Sequence, residues 1–176
     1  MFKPRDTFRF LLTGFPLLFL ALGLALSGCH INPAVQGSGE AYLQGQWQQD
    51  SLAGREKLLT YASADFTFTC DSFYVRINTT TKVKYVADSC MGKGQWTEYA
   101  KGHYEQKNDT LHLKGLFCNA DYSIKSPGTC LRVGVYEDFL RVTKKTDSVI
   151  QLSGSADMIP VDLHLIKRIA CNPKPL

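Results

Sequence analysis

The sequence predicts an all-β fold, an antiparallel up-and-down barrel, with a β-sandwich as the alternative. Three observations predict it. From Asp65 onward apolar and polar residues alternate with a period of two, the signature of a strand with one face buried. Polar turn-formers interrupt the alternation at a spacing of about ten residues, which is the rhythm of sandwiches and barrels. After the first 28 residues no stretch sustains helical periodicity for more than one or two turns. Successive hairpins favour the barrel, because closure removes exposed strand edges; a Greek-key sandwich would join its strands by longer crossings.

Residues 1–28 read as a secretory signal helix. Lys3, Arg5 and Arg9 stand against one acid, Asp6, and an apolar run from Phe10 to Leu26 follows. A basic start, an apolar centre and small residues before a cut describe a leader rather than a permanent span. The stretch Leu26-Ser27-Gly28-Cys29 resembles the lipobox of bacterial lipoproteins. That resemblance implies cleavage before Cys29, a diacylglycerol on its sulfur, and a fatty-acyl chain such as palmitate on the new amine. Two or three such chains hold a protein to a membrane where one alone is marginal. His30, not Asp, follows the cysteine, which by the same resemblance favours the outer membrane and a domain facing the periplasm.

Residues 29–41 then read as the lipidated cysteine and a flexible tether, since Asn32-Pro33 and Gln36-Gly37-Ser38-Gly39 are turn-formers without apolar period. Residues 42–176 are left for a single β-domain, enough to build a core unaided. The chain holds 20 Lys+Arg and 16 Asp+Glu; without Lys3, Arg5, Arg9 and Asp6 these become 17 and 15. No basic stripe remains, so nucleic acid is not expected as a partner. The expected partners are the membrane, through the anchor, and a small apolar ligand or a periplasmic protein.

Along the domain, Gly45-Gln46-Trp47 opens the folded part. A Gly-x-Trp at the start of a β-rich chain resembles the opening of lipocalin-like barrels, where the Trp plugs one end and the Gly lets the chain pass close by. Arg55–Tyr61 fits either a short helical turn or an extended segment. Phe66, Phe68 and Cys70 share one face, and Phe73, Val75 and Ile77 take the opposite parity, as a β-bulge at Asp71-Ser72 would produce. A turn over residues 78–81 leads to a strand through Val83, Tyr85 and Ala87. Trp96, Glu98 and Ala100 begin the next strand, which runs through Tyr104 to a turn at Asn108-Asp109. Leu111, Leu113, Gly115 and Phe117 follow, with Gly115 marking a bend. Leu131, Val133 and Val135 form a strand that breaks near Glu137-Asp138 before Phe139–Val142. A turn over residues 144–147, then Val149–Leu152 and Val161–Ile169, complete the count.

Beyond Cys29 there are five cysteines, and an exported chain can oxidise them. A hairpin folded between Thr80 and Thr81 would set Cys70 nearly opposite Cys90. Cys118 and Cys130 flank a loop that a bridge would close at its neck. Cys171 is the remaining thiol. The histidines include no His-x-His or His-x-x-x-His, and no Cys-x-x-Cys occurs, so neither a metal nor another cofactor is expected. Gly154-Ser155-Ala156-Asp157-Met158-Ile159-Pro160 faintly resembles a loop of the fumarase and aspartase superfamily. Ala156 replaces its second Ser, Ile159 intrudes before the Pro, and its Lys and Asn are absent, so a fumarate hydratase activity is not supported. No catalytic residue is assigned. The expected role is a binding or structural accessory, with an enzyme of unidentified type as the alternative, and Phe66, Phe68, Trp96 and Leu113 are the candidate lining of a ligand cavity.

Overall fold

A computed structural model describes residues 36–51, 54–83, 89–154 and 160–174. The leader, Cys29, Tyr85, Ala87 and the Ser155–Ile159 stretch lie outside them. Eight strands close into an antiparallel barrel in sequence order. They are β1 (Gly45–Gln49), β2 (Thr60–Thr69), β3 (Ser72–Thr81), β4 (Gln95–Lys107), β5 (Thr110–Cys118), β6 (Val135–Lys145), β7 (Val149–Gly154) and β8 (Val161–Arg168). β1 pairs with both β2 and β8, so the sandwich alternative is excluded and the up-and-down, lipocalin-like barrel holds.

The topology gives the barrel two unlike ends. Tight hairpins after β2, β4 and β6 share one end with the entering segment 36–44 and the C-terminal residues 169–174. The four longer connections share the other.

The two parities belong to two strands, β2 and β3, rather than to one bulged strand. Cys70 and Asp71 form a two-residue hairpin turn between β2 and β3, not a bulge, with Thr69 facing Ser72. Cys70 sits at φ 54°, a left-handed conformation that L-residues adopt only when held. Gln44 holds it: the Cys70 N–H donates to Gln44 Oε1 at 2.6 Å, and Gln44 Nε2 donates to the Cys70 carbonyl at 2.9 Å. The expected turn over residues 78–81 is instead the end of a continuous β3, paired with β4 as far as Thr80. Lys82 and Val83 lie beyond it, outside any strand. Leu131 and Val133 belong to the β5–β6 connection. β6 passes through Glu137-Asp138 unbroken and shifts register only between Val142 and Lys144. Arg55–Lys57 is a 3₁₀ turn, and Ser89–Gly94 is a second.

The interior is filled from the closed end. Leu43, Trp47, Phe68, Phe73, Leu111, Leu113 and Ile150 are fully buried there or at mid-barrel. Trp47 donates through Nε1 to the Leu43 carbonyl at 2.7 Å, and the Arg168 guanidinium lies over its ring at 5.5 Å. Gly45 meets the expectation for its motif: a Cβ there would stand 2.7 Å from the Lys167 carbonyl oxygen. Gly115 faces Gly102 across the β4–β5 ladder, and a Cβ on either would lie about 2 Å from a backbone oxygen of the other strand.

Residues 36–41 are not free tether. The Gln36 N–H donates to the Lys174 carbonyl at 2.9 Å, Gly37 N–H to Asp71 Oδ2 at 2.9 Å, and Glu40 N–H to the Tyr104 hydroxyl at 2.9 Å. The Tyr104 hydroxyl in turn donates to the Cys70 carbonyl at 2.8 Å.

The disulfides join Cys70 to Cys171 and Cys90 to Cys130, and Cys118 is a free, buried thiol. Both expected pairings are therefore corrected, and the reason is topological. The hairpin at Cys70 puts that residue at the closed end, whereas Cys90 belongs to the β3–β4 connection at the other. Cys118 does not close the neck of its loop because its expected partner, Cys130, is bonded to Cys90, and Cys118 itself is buried with its backbone bridged to Ile124. Burial pushes the Cys118 thiol pKa up.

Candidate functional site

The barrel is packed at one end and hollow at the other. β2 places small residues, Ala62 and Ala64, at inward positions near the mouth, whereas the same parity deeper in the barrel carries Phe66 and Phe68. The space left is a cavity of about 470 Å³, within the usual range for small-molecule sites. Its apolar wall comes from Ala64 and Phe66 on β2, Ile77 on β3, Leu140 on β6, Leu152 on β7 and Val161 on β8. Leu58, 39% exposed, stands at its rim.

Two polar side chains of β6 face the same space. The Tyr136 hydroxyl donates to Asp138 Oδ2 at 3.4 Å, and Asp138 Oδ1 accepts the Phe139 N–H at 2.9 Å. Burial, with the Asp138 charge added to it, raises the Tyr136 pKa. The phenol therefore stays protonated and gives its one hydrogen to Asp138, so the pair forms a polar spot on a mainly apolar wall.

Part of the mouth is strapped. The Cys90–Cys130 bridge ties the β3–β4 connection to the β5–β6 connection. Glu98, inward on β4 with a side chain only 4% exposed, receives Arg132 from the β5–β6 connection. Arg132 Nη2 lies 2.7 Å from Oε2, Nε lies 2.9 Å from Oε1, and the Arg132 backbone N–H donates to Oε1 at 3.1 Å. Burial would lift the Glu98 pKa, but the Arg132 hydrogen bonds and charge outweigh it and the pKa falls. Trp96 adds a donor to Oε2 at 3.3 Å, and Arg132 stacks over Phe117 at 4.6 Å.

Of the four residues expected to line a cavity, Phe66 does. Phe68 and Leu113 are fully buried in the filled core; Phe68 packs edge-on against Tyr104 at 5.2 Å. Trp96 is half-buried and serves Glu98. The lining residues missed from sequence include Ala64, Ile77, Tyr136, Asp138, Leu140, Leu152 and Val161. The signal that could have found them was the pair of alanines on the inward parity of β2, since small inward residues leave room. Among the described residues no group of three His, Cys, Asp or Glu side chains is placed to hold a metal.

No protein-family model matches the chain, and no curated protein matches it in sequence.

Proposed function

We propose that the protein is an outer-membrane lipoprotein whose barrel holds a small apolar ligand on the periplasmic side. The observation that carries this reading is the cavity of about 470 Å³ with apolar walls, in a barrel plugged at its other end. Disulfide bridges at both ends suit an oxidising exported compartment. The lipobox-like Leu26–Cys29 supplies the anchor. A periplasmic protein partner is the second reading, favoured by paired Leu116 and Val135 on the outer wall, which are 46% and 63% exposed.

Two measurements test the proposal. Cells fed labelled palmitate should label the wild-type chain and not Cys29→Ser; equal labelling would sink the anchor. Mass spectrometry of organic extracts of the purified full-length chain should find an apolar compound. It should be depleted about ten-fold in Ala64→Phe, whose ring fills the cavity. Identical extracts from both proteins would remove the ligand-binding reading.

A further inference from the structure

Among the described residues, the barrel wall is incomplete beside the cavity. β1 ends at Gln49 and pairs with β2 only from Asp65 to Phe68, whereas β2 continues to Thr60 with β3 paired along its whole length. Residues 60–64 thus have β3 on one side and, among the described residues, no strand on the other. Thr69 and Ser72 close a two-residue hairpin, so hydrogen bonding alternates along β2. Ala64, Ala62 and Thr60 turn their backbone groups toward the missing strand. The first of these is taken by a side chain: Gln49 Oε1 accepts the Ala64 N–H at 2.8 Å. Beyond that strut the wall opens at Ala62.

The seam joins two unlike spaces. Inside is the apolar cavity. Outside is a polar groove of about 430 Å³. Gln49, Tyr61, Ala62 and Ser63 line both. The outer groove carries Arg55 and Arg76 against Asp50 and Asp65, and adds His164. Arg76 Nη2 lies 2.6 Å from Asp65, and His164 Nε2 lies 2.8 Å from Asp50. Arg55 lies over the Tyr61 ring at 5.9 Å. The two guanidinium groups balance the two carboxylates, so the groove offers paired donors and acceptors rather than a field of one sign.

We infer that the ligand is an amphiphile whose apolar chain lies in the cavity and whose polar head, of no net charge, passes through the seam into the outer groove. This rests on the ligand-binding reading above and names the ligand class for the same site. Ala62 is the threshold because its methyl group is the smallest side chain shared by both spaces. Gln49 is the positioning residue that holds the seam at its inner end.

The test uses envelope membranes containing the full-length chain. Two lysophosphatidylcholine probes carry a diazirine, one at the end of the acyl chain and one in the head. After photolysis the labelled residues are mapped by peptide mass spectrometry. The chain probe should label Phe66, Ile77 or Leu152, and the head probe should label Gln48, Ser51 or Arg76. Ala62→Trp should cut head labelling about ten-fold, and Ala62→Ser should preserve it. Intact Cys70–Cys171 and Cys90–Cys130 peptides in both variants will show that the barrel is formed. Unlabelled monolaurin should compete about ten-fold better than laurate, which carries the same chain on an anionic head. Head labelling on the rim residues Val83, Lys93 or Lys125 would overturn the seam while leaving the cavity occupied. Better competition by laurate would overturn the uncharged head. Absence of chain labelling in the cavity would remove the ligand-binding reading and this inference together.

Discussion

The two ends of this barrel are built from the same eight strands with the same alternation, yet one is solid and the other hollow. At the closed end the entering segment folds back, buries Leu43 completely and seats it beside Trp47. Polar groups there are consumed locally: Gln44, Cys70 and Tyr104 satisfy one another. At the mouth, Ala62 and Ala64 withhold volume, and the polar groups of Tyr136 and Asp138 face a cavity. The difference teaches that strand pattern sets the barrel, while side-chain size along one inward row sets where it is empty.

The disulfides offer the largest test of that contrast. The closed-end bridge spans a sequence separation of 101 and the mouth bridge one of 40. In the loop-entropy model their removal costs about 4.7 and about 4 kcal/mol respectively. Cys70→Ala with Cys171→Ala should therefore lower the denaturant midpoint strongly, with a steeper slope because the uncrosslinked denatured chain exposes more surface, and leave cavity labelling intact in the protein that stays folded. Cys90→Ala with Cys130→Ala should cost slightly less stability and yet alter ligand exchange, because it frees two connections at the mouth. Ligand exchange disturbed only by the closed-end pair would break the assignment of roles.

The Glu98–Arg132 pair sharpens the contrast within the mouth itself. Arg132 is 56% exposed along its side chain and Glu98 only 4%, so the two truncations are not equivalent. Arg132→Ala leaves a carboxylate in the interior without its guanidinium and should cost about 3 kcal/mol. Glu98→Gln leaves an arginine that water can take, and should cost about 1 kcal/mol. The pH dependence has a definite sign. The Glu98 pKa is lowered from its ordinary 4.5, so its contribution is complete above that value and is lost as pH falls through the folded-state pKa. The stability gap between wild type and Glu98→Gln should shrink on acidification below about pH 4.5. With Arg132 removed, burial of Glu98 is opposed only by the weaker Trp96 hydrogen bond, so the Arg132→Ala penalty should also shrink in acid. Chemical denaturation from pH 7 to pH 3 decides this; equal penalties for the two variants would refute the asymmetry.

Much of the barrel was legible because alternation is a local property. Gly45-x-Trp47, the turn at Asn108-Asp109 and the strands β4, β5, β7 and β8 follow from period and turn chemistry. What failed was long-range. Phe66-Phe68-Cys70 and Phe73-Val75-Ile77 have opposite parity both across a bulge and across a tight hairpin, and only the Gln44 contacts to Cys70, 26 residues away, decide between them. That one choice moved the next turn and with it the expected partner of Cys70, while Cys130 reaches Cys90 across two connections that no local pattern brings together. Strand residues pointing inward could be named, but their depth could not. Phe68 and Leu113 are inward yet sit in the packed half, and Trp96 is turned to the Glu98 carboxylate of its own strand, which Arg132 meets from the β5–β6 connection.

The smallest expected effect is the most direct test of the hollow half. Ala64 is half-buried on β2 beside the core, with its backbone N–H already held by Gln49, so a larger side chain there disturbs no main-chain bond. In a packed interior, added methyl groups force neighbours off their rotamers and cost stability. In a cavity they find room and bury apolar surface, a gain of about 1 kcal/mol for a cavity-filling change. Ala64→Leu should therefore raise the denaturation midpoint of the empty protein while excluding the ligand. In the packed interior at mid-barrel the same kind of enlargement, Val75→Leu, should lower the midpoint, since Val75 is fully buried among close neighbours. If Ala64→Leu destabilises as Val75→Leu does, the mouth is as full as the base, and the division of the barrel into a packed and a hollow half fails.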